Sequence, residues 1–566
     1  MAKKKKQVLA VKKKAEIEKP KSSKTLFEKV ERFLDKRHHL IAWVITGLSL
    51  LMAFMMFDGK ISIGLDDSTY IEQGWKYSKD FFGHSFTSQA PFYAMVLALV
   101  ISFFGLNLVA LKVVTVLFFV LSVYFFYRAF RFRVSWLVLF PALLIYATNV
   151  EALSIASLTY TEALYLLFQS LFLWAALRVI TEMDNSESIV GLLKKHWPIL
   201  LAMAVTFYFL FFTRTVGIAV LAVFLVFYGL RKEWKLAALV PGFMILTFLS
   251  FEGIKGMLWE STDQVSTQSS ILFQKDAYDA SQGNEDLGGF ITRMLENTNQ
   301  FISARFYEII GLRSFPAEWN WGLTLITLIP LFFALFLAFK HKEKTQLFNL
   351  LFIGAICGFT FLALQVSWGQ ARYIMILVFN IFLAFFWLLT RWFSKENTRG
   401  YQFFGLLIMA IFVLSNFTTA FKKAQKNIPI AKANLLKGDK YMGYTLDWVN
   451  FLKMSEYCGD SLPKDAFVAS RKAPMSFLYA DGKEFYPIWR TDNNPDPDST
   501  LSVWKEAGVT HVLVGSLRVN RLAAGQGIIN TVHRVLQPIE EKYPGKLEVV
   551  KQIGELEEAR LVKINY

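Results

Sequence analysis

The sequence predicts a polytopic α-helical membrane protein with about eleven transmembrane helices and a C-terminal soluble α/β domain. Three observations carry that reading. Of 566 residues, 54% are hydrophobic and 55 are Phe, more apolar surface than a water-soluble fold of this size needs. Apolar runs long enough to cross a bilayer recur up to about residue 420, and strand-like and helical patterns of ordinary polarity follow. Basic residues cluster in alternate short connections between the runs.

The runs lie at 40–57, 107–127, 134–150, 162–180, 197–213, 215–230, 235–251, 322–339, 347–365, 372–390 and 401–419. An odd number of crossings puts the two chain ends on opposite sides. Arg128, Arg131 and Arg133, Lys194 and Lys195, Arg231, Lys232 and Lys235, Lys340, Lys342 and Lys344, and Arg391, Lys395 and Arg399 then share the side of the N-terminus. By the positive-inside rule that side is the cytoplasm. The expected location is the cell inner (plasma) membrane, with the C-terminus extracytoplasmic.

One further run, 90–105 (APFYAMVLALVISFFG), breaks this pattern if it spans, because every later loop would invert. It is read as a helix on the outer face. Three regions follow: a basic cytoplasmic tail over 1–38, a transmembrane domain over 39–420 with external loops 58–106 and 252–321, and an extracytoplasmic α/β domain over 421–566.

In that last region PKDAFVAS, KEFYPIW, THVLVGS and LEVVKQIGELEEARLVKINY read as short strands, with helical stretches near 499–507 and 521–542. The formal net charge of +16 resides largely in the tail and the cytoplasmic loops. It therefore points to anionic membrane lipid and away from nucleic acid. The two cysteines, Cys357 in an apolar run and Cys458 in the polar region, are expected at different depths and unpaired.

The chemistry concentrates in the first external loop. Asp66 and Asp67 stand about eight residues beyond the first span. Adjacent carboxylates at a membrane surface repel each other and favour a nearby cation or proton. Such a pair can hold a divalent metal (Mg or Mn) or deprotonate a hydroxyl, and it can equally well start a surface helix. Cations near the same face are Lys112, Arg214 and Arg372, with Arg305 and Arg313 in the later loop. Lys112 is one turn into its span, where snorkelling alone explains it. His84 shares the first loop with the acidic pair. No zinc-protease or nucleotide-binding motif occurs in the sequence.

Four motifs in order, DDSTYIE at 66–72, QAPFYAMV at 89–96, YRAFRFR at 127–133 and LTYTEALYLLF at 158–168, resemble the lipid-dependent multi-span glycosyltransferases. That GT-C type superfamily includes the protein O-mannosyltransferases and the aminoarabinose lipid A transferase. The resemblance implies transfer of a sugar from a polyprenyl-phosphate-linked donor to a lipid, glycan or protein acceptor outside the cell, with inversion at the anomeric carbon.

It further implies Asp66 as catalytic base or acceptor orienter and Asp67 as its partner or a metal ligand. Glu162 matches the acidic residue that opens a later span. Lys112, Arg214 and Arg372 would bind the donor phosphate, with His84 in support. Where relatives carry a charge before the proline of the amphipathic segment, this chain has Ser88, Gln89 and Ala90. The rival reading is a transporter or flippase of lipid-linked saccharides. Its spans would need ionisable groups at mid-depth, and here those groups gather at the outer edge.

Overall fold

The structure, a computed structural model, describes residues 25–64, 66–84, 91–259, 272–276, 282–394, 399–488, 495–518 and 527–566. Most of the basic tail, the segment 88–90 and the QVSTQSS stretch of the later loop lie outside the described residues.

The chain is a multi-pass helical membrane protein. Among the described residues eight helices are long and apolar enough to cross a bilayer: α1 (Leu26–Met56), α4 (Leu108–Phe130), α7 (Thr161–Glu182), α8 (Ile189–Thr213), α10 (Trp234–Leu258), α12 (Trp321–Lys340), α13 (Lys344–Ala363) and α15 (Arg399–Lys437). The bent pair α5 (Trp136–Ala147) and α6 (Val150–Ala156), which meet at 51°, makes a ninth when counted as one broken span. Asn149 causes the break, its side chain capping the amides of Glu151 and Ala152. The shorter apolar helices Thr215–Leu230, which contains α9 (Val220–Leu230), and α14 (Val378–Ser394) correspond to the two remaining runs.

Leu246 on α10, Ile326, Phe332 and Phe336 on α12, and Phe404 and Leu414 on α15 are all exposed, a surface that fits lipid and not water.

Between α1 and α4 lie two helices that never enter the sequence of long spans. Helix α2 (Asp66–Lys79) is polar, and α3 (Phe92–Phe104) lies against it. Contact is close at Gly74, where a Cβ would stand 3.0 Å from the Ala94 carbonyl and the Leu97 Cβ, so a larger residue would push the two helices apart by a few tenths of an ångström. Tyr93 anchors α3 to α4 through a 2.6 Å hydrogen bond with Thr115.

Helix α15 does not stop at residue 420 but runs unbroken to Lys437, beyond the last apolar residues of the run. A soluble fold follows: α16 (Leu446–Ser461), β1 (Phe467–Ser470), α17 (Ala473–Tyr479), β2 (Phe485–Pro487), α18 (Pro497–Glu506), β3 (Val509–Gly515), α19 (Thr531–Lys542), β4 (Leu547–Ile553) and β5 (Ala559–Ile564). The sheet order is β2-β1-β3-β5-β4, parallel from β2 to β3 and antiparallel from β3 to β4. Helix α11 (Leu287–Asn299) belongs to the later loop. Cys357 sits on α13 and Cys458 on α16, both free.

The α/β domain is not a separate bead. One apolar cluster contains Ile71, Tyr93, Leu97 and Leu164 of the first loop and spans together with Trp448, Phe451, Met475 and Leu513 of the domain. The first loop is thus clamped between spans and domain, and the site forms there.

Candidate active site

Asp66 and Asp67 open α2, where the free amides and positive end of the helix favour acidic side chains. Adjacent on a helix, the two carboxylates point apart. Asp67 is fully buried and turned back onto its own loop. Its oxygens accept from the Ser62 amide at 2.6 Å, the Ser62 hydroxyl at 3.0 Å and the Ser68 amide at 2.9 Å. Burial raises its pKa to about 6, with the Ser62 and Ser68 hydrogen bonds and the charge of Lys112 opposing. Asp66 remains 41% exposed at the side chain and faces the spans.

Four charged groups meet there. Arg372 Nη1 lies 2.7 Å from Asp66 Oδ2 and 3.6 Å from Glu162 Oε1. Arg214 Nη1 lies 2.5 Å from the same Glu162 oxygen. Glu162 is fully buried in the first turn of α7, so two cations share one carboxylate that water cannot reach. Tyrosine rings frame the arginines. The Arg372 guanidinium sits 5.2 Å from the Tyr160 ring and 5.1 Å from that of Tyr373, which also lies 5.5 Å from Arg214. Tyr160 in turn shares a 2.9 Å hydrogen bond with Ser62, linking this cluster to the Asp67 loop.

Local sequence explains both arginines. Helix α8 ends at Thr213, and Arg214 adopts an extended conformation before the tight turn Thr215–Ala219. That turn folds back so closely that a Cβ on Gly217 would stand 2.8 Å from the Phe211 amide nitrogen. Arg372 begins the single turn Arg372–Met375 that leads into α14. The Nε of Arg372 is buried without a hydrogen-bond partner among the described residues.

Of the residues singled out in the sequence, Asp66, Glu162, Arg214 and Arg372 come together, and Asp67 lies beside them. Lys112 does not join the cations. Its fully buried ammonium donates at 2.9 Å to both the carboxylate and the carbonyl of Asp58, and also to the Lys60 carbonyl. The long side chain reaches up to the carbonyls just beyond the end of α1 and braces the base of the loop. His84 shares a 2.7 Å hydrogen bond with Gln73 and packs edge-on to Tyr77, on the far part of α2. Arg305 pairs with Glu308, and Arg313 donates to the carbonyls of Ser303 and Glu318.

In this arrangement Asp66 and Asp67, the two residues expected to hold a divalent cation, point apart and have other partners. Asp67 spends both oxygens on amide and hydroxyl donors, and Asp66 is paired with Arg372. Among the described residues no three His, Cys, Asp or Glu side chains gather as a metal cage. Sequence reasoning missed Ser62, Tyr160 and Tyr373. The last two lie within stretches already singled out, Tyr160 two residues before Glu162 and Tyr373 directly after Arg372, but neither ring was given a role.

No family model and no curated protein matches the chain. Solved structures do. The archaeal oligosaccharyltransferase AglB from Archaeoglobus fulgidus, in complex with an inhibitory peptide and a dolichol-phosphate, aligns over 85% of this chain and 69% of its own, with 13% identity and a TM-score of 0.53. ArnT from Cupriavidus metallidurans bound to undecaprenyl phosphate aligns over 92% of this chain and 97% of its own, with 12% identity and a TM-score of 0.54. An Archaeoglobus fulgidus oligosaccharyltransferase in complex with Zn and sulfate aligns over 83% of this chain and 67% of its own, with 13% identity and a TM-score of 0.51. At such identities the likeness establishes the fold alone, a polytopic helical membrane fold shared with these proteins.

Proposed function

We propose, from a fold shared with AglB and ArnT and from the Asp66–Arg372–Glu162–Arg214 cluster, that this chain is a membrane glycosyltransferase. Its donor is a sugar on polyprenyl phosphate, and its acceptor is a hydroxyl-bearing lipid, glycan or protein outside the cytoplasm. The two neighbours are bound to dolichol-phosphate and undecaprenyl phosphate, which supports this carrier class. In this reading the N-terminus is cytoplasmic in the inner membrane, and the loop end of the bundle, with the α/β domain, is external.

The single observation that carries the proposal is the partly exposed carboxylate of Asp66 held by the half-buried Arg372. Asp66 accepts the proton of the acceptor hydroxyl, whose oxygen attacks the anomeric carbon. The carbon–oxygen bond to the carrier phosphate breaks, and its electron pair stays on the phosphate oxygen. The phosphate gains negative charge as this happens, and preorganised guanidinium groups stabilise charge that grows in the transition state. Arg372 supplies that stabilisation with an Nε still unpartnered, and Arg214 backs it. Attack opposite the phosphate inverts the anomeric centre. Glu162 keeps the two arginines charged and oriented. Asp67 orders the loop through Ser62. No step here runs through a metal ion.

The test uses full-length protein in liposomes, undecaprenyl-phosphate-linked hexoses as donors, and membrane extract of the producing cells as acceptor. Release of undecaprenyl phosphate with sugar appearing on the acceptor is expected, together with loss of both in Asp66→Asn at unchanged protein level. Movement of intact carrier across the bilayer with no bond cleavage would overturn the reading in favour of a flippase.

A further inference from the structure

Lys472 belongs to the α/β domain, yet its ammonium ends inside the first external loop. It follows β1 and caps α17, and it is only 7% exposed. Its Nζ donates to the Ile63 carbonyl at 3.1 Å and lies 5.5 Å from the Trp448 ring. Ile63 directly follows Ser62, whose amide and hydroxyl hold Asp67, and stands three residues before Asp66. The same stretch is pinned a second time by the domain. The Tyr444 hydroxyl accepts from the Ile61 amide at 2.9 Å and donates to the Ile61 carbonyl at 2.8 Å. Alongside, Phe477 of α17 packs edge-on to Trp75 of α2.

A buried ammonium is costly unless hydrogen bonds and opposite charge surround it. The charged groups that face Lys472 are Arg471 on its own turn and Asp66 and Asp67 on α2. From α16 comes only the neutral ring of Trp448. The two aspartates of the candidate site are thus the electrostatic reason a lysine is tolerated there.

Resting on the transferase reading, we propose that Lys472 is a positioning residue for that reaction, fixing through the Ile63 carbonyl the loop that presents Asp66, so that the α/β domain is part of the active site. Burial and Arg471 pull its pKa down to about 8, against the pull of Asp66 and Asp67. The charge is therefore present at neutral pH and is lost as pH rises through that value.

The experiment compares full-length wild type, Lys472→Met, Lys472→Arg and Asp66→Asn in liposomes, following undecaprenyl phosphate release from an undecaprenyl-phosphate-linked hexose across the alkaline range. Wild-type kcat is expected to fall as pH rises through about 8. The Met variant should lose about 10- to 100-fold in kcat, the scale of a small misplacement of a reacting group, with donor KM unchanged and that alkaline limb absent. Arginine, charged throughout, should restore the rate and extend the plateau.

Hydrogen exchange over residues 57–64 should quicken in the Met variant. Unchanged exchange there overturns the proposal even if the variant is inactive. A Met variant with wild-type kcat and an intact alkaline limb, beside an inactive Asp66→Asn, overturns the role of Lys472 alone. Full activity in Asp66→Asn removes the transferase reading itself.

Discussion

Arg372 joins two carboxylates that the chain brings from separate elements, lying 2.7 Å from Asp66 on α2 and 3.6 Å from Glu162 on α7. Both contacts use one guanidinium nitrogen, which leaves the other nitrogens of the fork and its planar face on the tyrosine rings; a lysine ammonium is shorter and supplies neither. Arg372→Lys should therefore lower kcat by about 10²–10³-fold, the scale of losing one preorganised donor to developing charge. Combining it with Asp66→Asn should cost little more than either change alone, because the two residues act as a unit. Initial rates of carrier phosphate release in the four proteins of the cycle give the coupling. Simple additivity would show that the ion pair has no part in turnover.

The same geometry makes Glu162 a structural keystone. Its carboxylate is fully buried and neutralises Arg214 at 2.5 Å while it contacts Arg372. In Glu162→Gln two guanidinium groups face each other without that counter-charge. Breaking a buried pair from one side costs about 3–5 kcal/mol. Thermal unfolding of the detergent-solubilised variant should show a clearly lower Tm, with reduced accumulation in the membrane. A Tm equal to wild type would mean that water or lipid already screens the cluster.

Most of this architecture was legible because it is written in hydrophobic length and period. All eleven apolar runs correspond to helices, and the strands of the α/β domain fall where alternation and β-branched residues placed them. Helix α16 was harder to see. Its residues LDWVNFLKMSEYCGDS carry a helical stripe, but the preceding change from lipid to water hides where a soluble domain begins.

Charge type and depth brought out Asp66, Glu162, Arg214 and Arg372. Partner choice was not legible. Lys112 has the composition of a phosphate ligand, and only the three-dimensional path of residues 57–60 gives it Asp58 instead. Lys472 carries no local signal at all, since its partner is a main-chain carbonyl in another domain.

Asp67 predicts a pH response in which activity and stability part company. Its folded pKa is raised to about 6 from an ordinary 3.8, so it takes up a proton as pH falls through about 6. Protonation removes a charged acceptor from the Ser62 and Ser68 donors and loosens the loop, and the rate should decline there. For stability the sign is opposite. A raised carboxylate pKa means the folded state binds the proton more tightly, so this group's contribution grows as pH falls from about 6 towards 3.8 and is lost as pH rises through about 6. A pH–rate profile read beside circular dichroism should show an acid limb without unfolding. Ser62→Ala, which deletes one of the hydrogen bonds that hold the pKa down, should move that limb to higher pH.

Lys112 separates bracing from phosphate binding. Its ammonium is enclosed by Asp58 and two carbonyls beneath the loop, and Asp58 is itself largely buried. Lys112→Met removes the nearest cation of that carboxylate, leaving it the Lys60 amide at 3.2 Å and the Lys60 ammonium at 3.9 Å, and a loss of up to about 3–5 kcal/mol follows. Adding Asp58→Leu removes the stranded charge, and a buried pair replaced by apolar side chains is often neutral or stabilising, so the double variant should recover most of the Tm. Affinity for undecaprenyl phosphate, measured on the folded double variant, should match wild type because no cation has left the Arg214–Arg372 cluster. If affinity falls while the Tm recovers, Lys112 must reach the carrier phosphate in the bound state, and the brace described here would open on binding.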